Sequence, residues 1–135
     1  MDCVFCSIRD GKIPAIKVFE DDKTLAFMDI NPLNDGHLLV IPKRHSANLF
    51  EIPEEDLTAV IETAKNMAWA VNKALRPDGL NLLQANFPAA GQSVEHFHIH
   101  VIPRWMGDGK GFEWVLVRGD SDRIKNIADK IKAQL

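Results

Sequence analysis

The chain has no surplus of positive charge: 16 Lys and Arg stand against 19 Asp and Glu, for a net charge of -3 over 135 residues. A general attraction for nucleic acid or anionic membranes is therefore absent, and an anionic substrate must be held by a local cluster of donors. Nor does any apolar run approach the ~20 residues of a membrane-spanning helix. The opening MDCVFCSIRDGK has no apolar stretch of signal-peptide length. Only two cysteines are present, both near the N-terminus, too few for a secreted disulfide scaffold. Internal repeats and low-complexity linkers are missing as well. The expectation is one compact cytoplasmic domain, with no nucleic acid or membrane as partner. At this length about two-thirds of the unfolded surface can be buried without covalent staples.

What is there reads as α+β with a mainly antiparallel sheet. KVFED (Lys17 to Asp21) and TLAFMDI (Thr24 to Ile30) form a hairpin pattern around Asp22 and Lys23. NPLNDG (Asn31 to Gly36) is a loop of turn formers, and HLLVIPK (His37 to Lys43) a central strand. From Pro53 to Leu75 the period becomes helical, with Leu57, Val60, Ile61, Ala64, Met67, Ala68, Val71 and Leu75 on one face. Pro53 suits the first helical position, and Glu54, Glu55 and Asp56 suit the positive end of the dipole. Trp69 lies off that face, as a partner contact or a plainly exposed ring. LNLLQAN (Leu80 to Asn86) returns to strand. Ser121 can cap a last amphipathic helix over residues 121–135, with Ile124, Ile127, Ile131 and Leu135 on its buried face.

Three of only five histidines fall in HFHIHVIPR. On a strand over residues 96–103, His96, His98 and His100 share one face, and Phe97, Ile99 and Val101 take the other. In a helix the same imidazoles would scatter over about 200° of arc. Three readings compete: a row of hydrogen-bonded core histidines, a metal site, or a nucleophile flanked by anion donors. In the third, an imidazole attacks phosphorus and divides a hard displacement into two easier steps. GQS (Gly91 to Ser93) immediately upstream favours it, because a small polar loop can offer backbone N–H groups to phosphate.

CVFC (Cys3 to Cys6) admits a zinc knuckle, a redox pair or two unpaired thiols. The redox pair usually sits in a βαβ context, which this sequence lacks. Zinc with two thiolates still needs two more ligands, and histidine is the natural supply.

GQSVEHFHIHVIPR, with KIPAIKVFEDDKTLAFMDINP and GHLLVIPKRH upstream, resembles the signature of the histidine triad (HIT) superfamily across most of the chain. The resemblance implies a single HIT domain over residues 1–135, with a five-stranded sheet that continues across a homodimer. It further implies hydrolysis or transfer at a nucleotide α-phosphate. His98 would be the nucleophile, giving a nucleotidyl-histidine intermediate, and His100 would donate to the phosphoryl oxygens. His37 would support the same phosphate, and Ser93 would contact the leaving group. Asp29 matches the carboxylate that binds ribose hydroxyls. Gly91, Gln92 and Asn86 border the nucleotide, and Ile30, Leu39 and Phe27 wall a purine base, although Phe27 and Leu39 equally suit the core. Substrates implied are purine nucleoside phosphoramidates, aminoacyl adenylates and dinucleoside polyphosphates.

Zinc-bearing relatives use a C-x-x-C, the histidine of the VIPKxH block and the first triad histidine. These are Cys3, Cys6, His45 and His96 here, in a knuckle that starts within residues 1–10. Four protein ligands make such a zinc structural. Many relatives carry an amide where this chain has Ala85, followed two positions later by glycine, where Phe87 stands. That departure bears on the leaving-group side. A nucleotide-binding regulatory module without turnover and a catalytic zinc enzyme are the rival functions. Lys43, Arg44 and Arg104 are either positive potential near an entrance or structural charges.

Overall fold

The computed structural model describes residues 2–111 and 115–135. The elements run α1 (Val4–Arg9), β1 (Lys17–Glu20), β2 (Thr24–Met28), β3 (Leu38–Pro42), α2 (Glu54–Leu75), β4 (Gly79–Leu83), a 3-10 turn (Pro88–Ala90), β5 (Ile99–Arg104) and α3 (Ser121–Lys132). The five strands form one antiparallel sheet in the order β1-β2-β3-β5-β4. This is the α+β architecture expected from the sequence, with α1 as an addition.

β3 and β5 lie at the centre, so both their faces need cover. On one face Ala26, Leu38, Val40, Phe97, Ile99 and Val101 pack under α2 through Val60, Ala64 and Val71. On the other, Leu25, Phe27, Leu39 and Ile41 pack against Cys3, Phe5 and Ile8 of the N-terminal segment. The alternation of side chains along the strands thus divides the molecule into a purely apolar layer and a second layer that also carries the histidines.

α2 departs from its apolar template in two ways. Ile61 and Leu75 are exposed, whereas Thr63 and Asp56 are buried. Thr63 shares a 2.8 Å hydrogen bond with the buried Thr24 hydroxyl, so β2 and α2 meet through a satisfied polar pair. Asp56 accepts from Arg44 Nε at 2.7 Å. Pro53 caps the helix rather than starting it, and the acidic first turn complements the dipole.

The expectation for α3 needs correction. The helix forms, but Asp120 is its cap, accepting from the N–H groups of Asp122 and Arg123. No residue of α3 is buried: Ile124, Ile127, Ile131 and Leu135 are all exposed, as are Val115, Leu116 and Val117. A helical period fixes which side chains share a face. It does not say that the same chain supplies the cover.

Candidate functional site

β5 and the segment leading into it carry the histidine row. The regular strand begins only at Ile99, yet the alternation starts earlier because Phe97 N–H donates to Ser46 O at 2.7 Å. Phe97 points into the α2 layer, and the three imidazoles point to the opposite face. His98 and His100 rings lie 5.0 Å apart, and His100 lies beside His37, whose ring reaches in from just before β3, at 5.1 Å.

Hydrogen bonds orient each ring. His98 Nδ1 lies 2.7 Å from the His96 carbonyl, which can only accept, so Nδ1 carries the proton and Nε2 is bare. His98 is 4% exposed, but Nε2 has no hydrogen-bond partner among the described residues. Among the described residues no buried side-chain nitrogen lacks one, so this atom opens to solvent. His100 Nδ1 lies 2.9 Å from His37 Nε2, and His37 Nδ1 accepts from Leu33 N–H at 2.9 Å. Asp29 Oδ2 stands 3.4 Å from His37 Nε2 and 4.0 Å from His100 Nδ1. Its other oxygen accepts from Asn31 N–H.

Burial holds all three rings toward the neutral form. It lowers the pKa of His98 and of His37, Asp29 opposing it in both cases. For His100, burial together with His98 and His37 brings the value down to about 4. A nucleophilic imidazole must be neutral, and this environment keeps it so.

A second cluster lies on the same face. The ligand atoms of Cys3, Cys6, His45 and His96 all fall within 4.8 Å of one another. His45 and His96 Nδ1 are 3.2 Å apart, Cys3 Sγ lies 3.4 Å from His96 Nδ1, and Cys6 Sγ lies 3.4 Å from His45 Nδ1. A tetrahedral zinc with its usual bond lengths sets N···N edges of about 3.3 Å and N···S edges of about 3.6 Å. The proton placement agrees: His96 Nε2 donates to Pro42 O at 2.8 Å, leaving Nδ1 bare toward the cluster. Cys6 N–H points at Cys3 Sγ, as suits a thiolate. The four residues fit a metal.

The remaining predicted residues are dispersed around these two centres. Ser93 lines a cleft of about 350 Å³ with Asp2, Cys3, Val4, His45, Val94 and Glu95, on the metal side of the loop. Gln92 is buried, its amide donating to Ala47 O and Val94 O and accepting from Phe87 N–H. Asn86 accepts from Leu49 N–H and exchanges bonds with Gln84. These two amides tie the 84–92 loop to the 46–51 loop. Gly91 adopts φ +94 at the end of the 3-10 turn. Phe27 and Leu39 are buried in the α1 layer, whereas Ile30 is 87% exposed. Lys43 pairs with Glu20 and Arg44 with Glu55 and Asp56. Arg104 ties Asp108 and Asn81 to the end of β5.

Three partners were not legible in the sequence. Phe5 packs edge-on to both His96 and His98, and the Pro42 carbonyl and Leu33 N–H orient two rings through backbone atoms. The only signal for Phe5 was an aromatic between the two cysteines.

Residues 10–106 match the HIT domain family. A member of the HIT family from Bacillus subtilis superposes with a TM-score of 0.92 at 40% identity, covering 100% of this chain and 98% of that one. A zinc-bound histidine triad family protein from Mycobacterium smegmatis superposes with a TM-score of 0.78 at 36% identity, covering 100% and 99%. An adenosine 5'-monophosphoramidase from Schizosaccharomyces pombe is 37% identical over 136 residues, again covering 100% and 99%.

Proposed function

Because this chain belongs to the HIT domain family, whose members include adenosine 5'-monophosphoramidases, we propose that it hydrolyses or transfers nucleotides at the α-phosphate. The substrates are purine nucleoside phosphoramidates, aminoacyl adenylates or dinucleoside polyphosphates. The observation that carries this reading is His98 Nε2: a bare, solvent-open nitrogen on a ring fixed by a 2.7 Å bond to the chain's own backbone.

The chemistry divides into two displacements. His98 Nε2 attacks phosphorus, the N–P bond forms, and the bond to the leaving amine, carboxylate or phosphate breaks, an amine departing with a proton taken from solvent. Water then attacks phosphorus and gives up a proton to solvent, the N–P bond breaks, and the nucleotide departs. His100 donates Nε2–H to a phosphoryl oxygen, where charge builds up in both steps. Asp29 accepts from ribose hydroxyls, with Ile30 beside the base.

Cys3, Cys6, His45 and His96 hold zinc in this reading. With four protein ligands the ion has no open position, so it clamps the N-terminal segment to the sheet and supplies no reacting group. Thiolate ligands require a reducing compartment, which supports a cytoplasmic location. Among the described residues no helix is long and apolar enough to cross a membrane.

A homodimer belongs to the same proposal. β4 is an edge strand with one unpaired side, Leu82 on it is exposed, and Trp69 on α2 is 55% exposed. A second copy placed across β4 would extend the sheet and cover these side chains. It also offers cover for the apolar face of α3.

The test mixes enzyme with adenosine 5'-phosphoramidate, quenches in acid and weighs the intact protein. A nucleotide-sized adduct that disappears in His98→Ala is expected. Rapid turnover persisting in His98→Ala would remove His98 as nucleophile. Binding without turnover in the wild type would leave a nucleotide-binding module.

A further inference from the structure

The geometry points to His37 as a positioning residue that sets the tautomer of His100, under instruction from the backbone N–H of Leu33. Leu33 N–H can only donate, and it donates to His37 Nδ1 at 2.9 Å. His37 Nδ1 is therefore bare, and its one proton is on Nε2. That Nε2–H faces His100 Nδ1 at 2.9 Å. An Nδ1 that accepts cannot also carry a proton, so the proton of His100 is on Nε2. The chain Leu33 N–H to His37 to His100 thus ends in a donor, Nε2–H, that has no partner among the described residues.

His98 is set in the opposite sense. Its Nδ1 donates to the His96 carbonyl, which leaves Nε2 as a lone pair. Two neighbouring rings, 5.0 Å apart, are thereby made different, His98 directly by a main-chain carbonyl and His100 through His37. One presents a lone pair and the other an N–H. Without the lock, His100 could adopt the Nδ1–H form and lose its outward donor, at no cost in covalent chemistry. His37 itself retains no N–H for a phosphate, since its single proton lies between His100 and Asp29 Oδ2.

The donating amide is held in place. Asn34 Nδ2 bonds Pro103 O and Asp108 Oδ2, both at 3.0 Å, and Asn34 O accepts from His37 N–H. Gly36, at φ +89, lets the loop close: a Cβ there would collide with Leu75 Cδ1. The turn-forming composition of NPLNDG thus positions one N–H against one imidazole nitrogen.

The same lock decides a question of metal binding. Asp29, His37 and His100 have donor atoms close enough to share an ion. A metal on His37 Nε2 requires its proton to move to Nδ1, where the Leu33 N–H already points. Distance admits a cation there, and proton placement refuses it.

This inference rests on the reading that the phosphate sits before His98 and His100, but its primary readout does not. In protein labelled with 15N in the imidazoles, two- and three-bond 1H–15N correlations report each tautomer directly. Expected in the substrate-free wild type are Nε2–H for His37 and His100 and Nδ1–H for His98. His37→Phe keeps the packing and removes the donor, so His100 should become a tautomer mixture, with kcat down about tenfold and KM changed less than threefold. His37→Gln places an amide N–H near the former Nε2 and should restore both the His100 tautomer and most of kcat. Leu33→Pro deletes the instructing N–H and should release His37 first. An Nδ1–H form of His100 in the wild type, or an unchanged His100 in His37→Phe, overturns the proposal. Turnover surviving in His98→Ala with the tautomers as stated would instead sink the catalytic reading and leave the lock standing.

Discussion

Phe5 stands edge-on to His98, with ring centroids 5.1 Å apart and planes at 89°. The same ring meets Phe27 at 5.4 Å and His96 at 5.9 Å. One side chain from the six-residue α1 therefore touches both the proposed nucleophile and a proposed metal ligand. Phe5→Ala should cost about 3 kcal/mol in urea unfolding, the low end for a buried ring because α1 lies at the surface. Phe5→Leu should cost about 1 kcal/mol. Turnover should fall more in the alanine variant than its folded fraction explains. Equal specific activity per folded molecule in all three proteins would restrict Phe5 to packing.

Phe87 has φ +71 and ψ 155, a region that is essentially glycine's. Its ring lies 5.8 Å from Phe50, at 22°, and both rings are exposed. Two terms compete on truncation. Losing the stack costs about 1 kcal/mol, and relieving the backbone returns about 1–3 kcal/mol. Alanine loses the stack and keeps the strain, whereas glycine loses both. Phe87→Gly should thus be more stable than Phe87→Ala by about 1 kcal/mol, despite the greater chain entropy of glycine. Denaturation midpoints of the two variants decide it, and the reverse order would mean the backbone is unstrained.

Legibility in the sequence followed the physics of each signal. Alternation put His96, His98 and His100 opposite Phe97, Ile99 and Val101, through the pleat of β5 from Ile99 onward and, before it, through extended backbone held by the Phe97 N–H bond to Ser46 O. The helical period found α2, and it misassigned Ile61 and Leu75 because an apolar stripe is wider than the strip the sheet covers. Thr63 and Asp56 escaped notice because a polar residue enters a core only through a partner, Thr24 or Arg44, that lies far away in sequence. α1 is six residues long, less than two turns, and leaves no periodic trace. Ring orientation was the least legible feature. It is set by Leu33 N–H, His96 O and Pro42 O, and backbone atoms are the same at every position.

Metal removal separates the two clusters. The wild type should carry one zinc per chain by elemental analysis, and Cys3→Ser or His45→Ala should lose it. The loss should lower Tm, because Cys3 and His96 are buried and four donors then face one another without an ion. Turnover by zinc-free protein that stays folded should persist, since His98 Nε2 needs no metal to be bare. A protein that binds no zinc when prepared under reduction would leave the four donors as an unmetallated hydrogen-bonded cluster.

Acid should act on the histidines before it acts on the carboxylates. His100 is held at about 4, against an ordinary value of 6.5, and His37 is lowered in the same direction. A native pKa below the unfolded one means that the unfolded chain binds protons first as pH falls. Stability is therefore full above pH 6.5 and drains away between 6.5 and about 4. Asp108, Glu20 and Asp10 are lowered by their Arg and Lys partners. Their contributions are present above about 4.5 and lost only below it. In zinc-free protein the window from pH 6.5 to 5 thus reports on histidine, and Tm should fall steadily across it. His100→Asn removes one of the groups responsible and should flatten the slope. Any acid limb in turnover should be centred below 6.5, because burial lowers the pKa of His98. An acid limb in kcat centred at or above 6.5 would mean that the nucleophile titrates like an exposed imidazole, which the burial of His98 and the 2.7 Å bond at Nδ1 argue against.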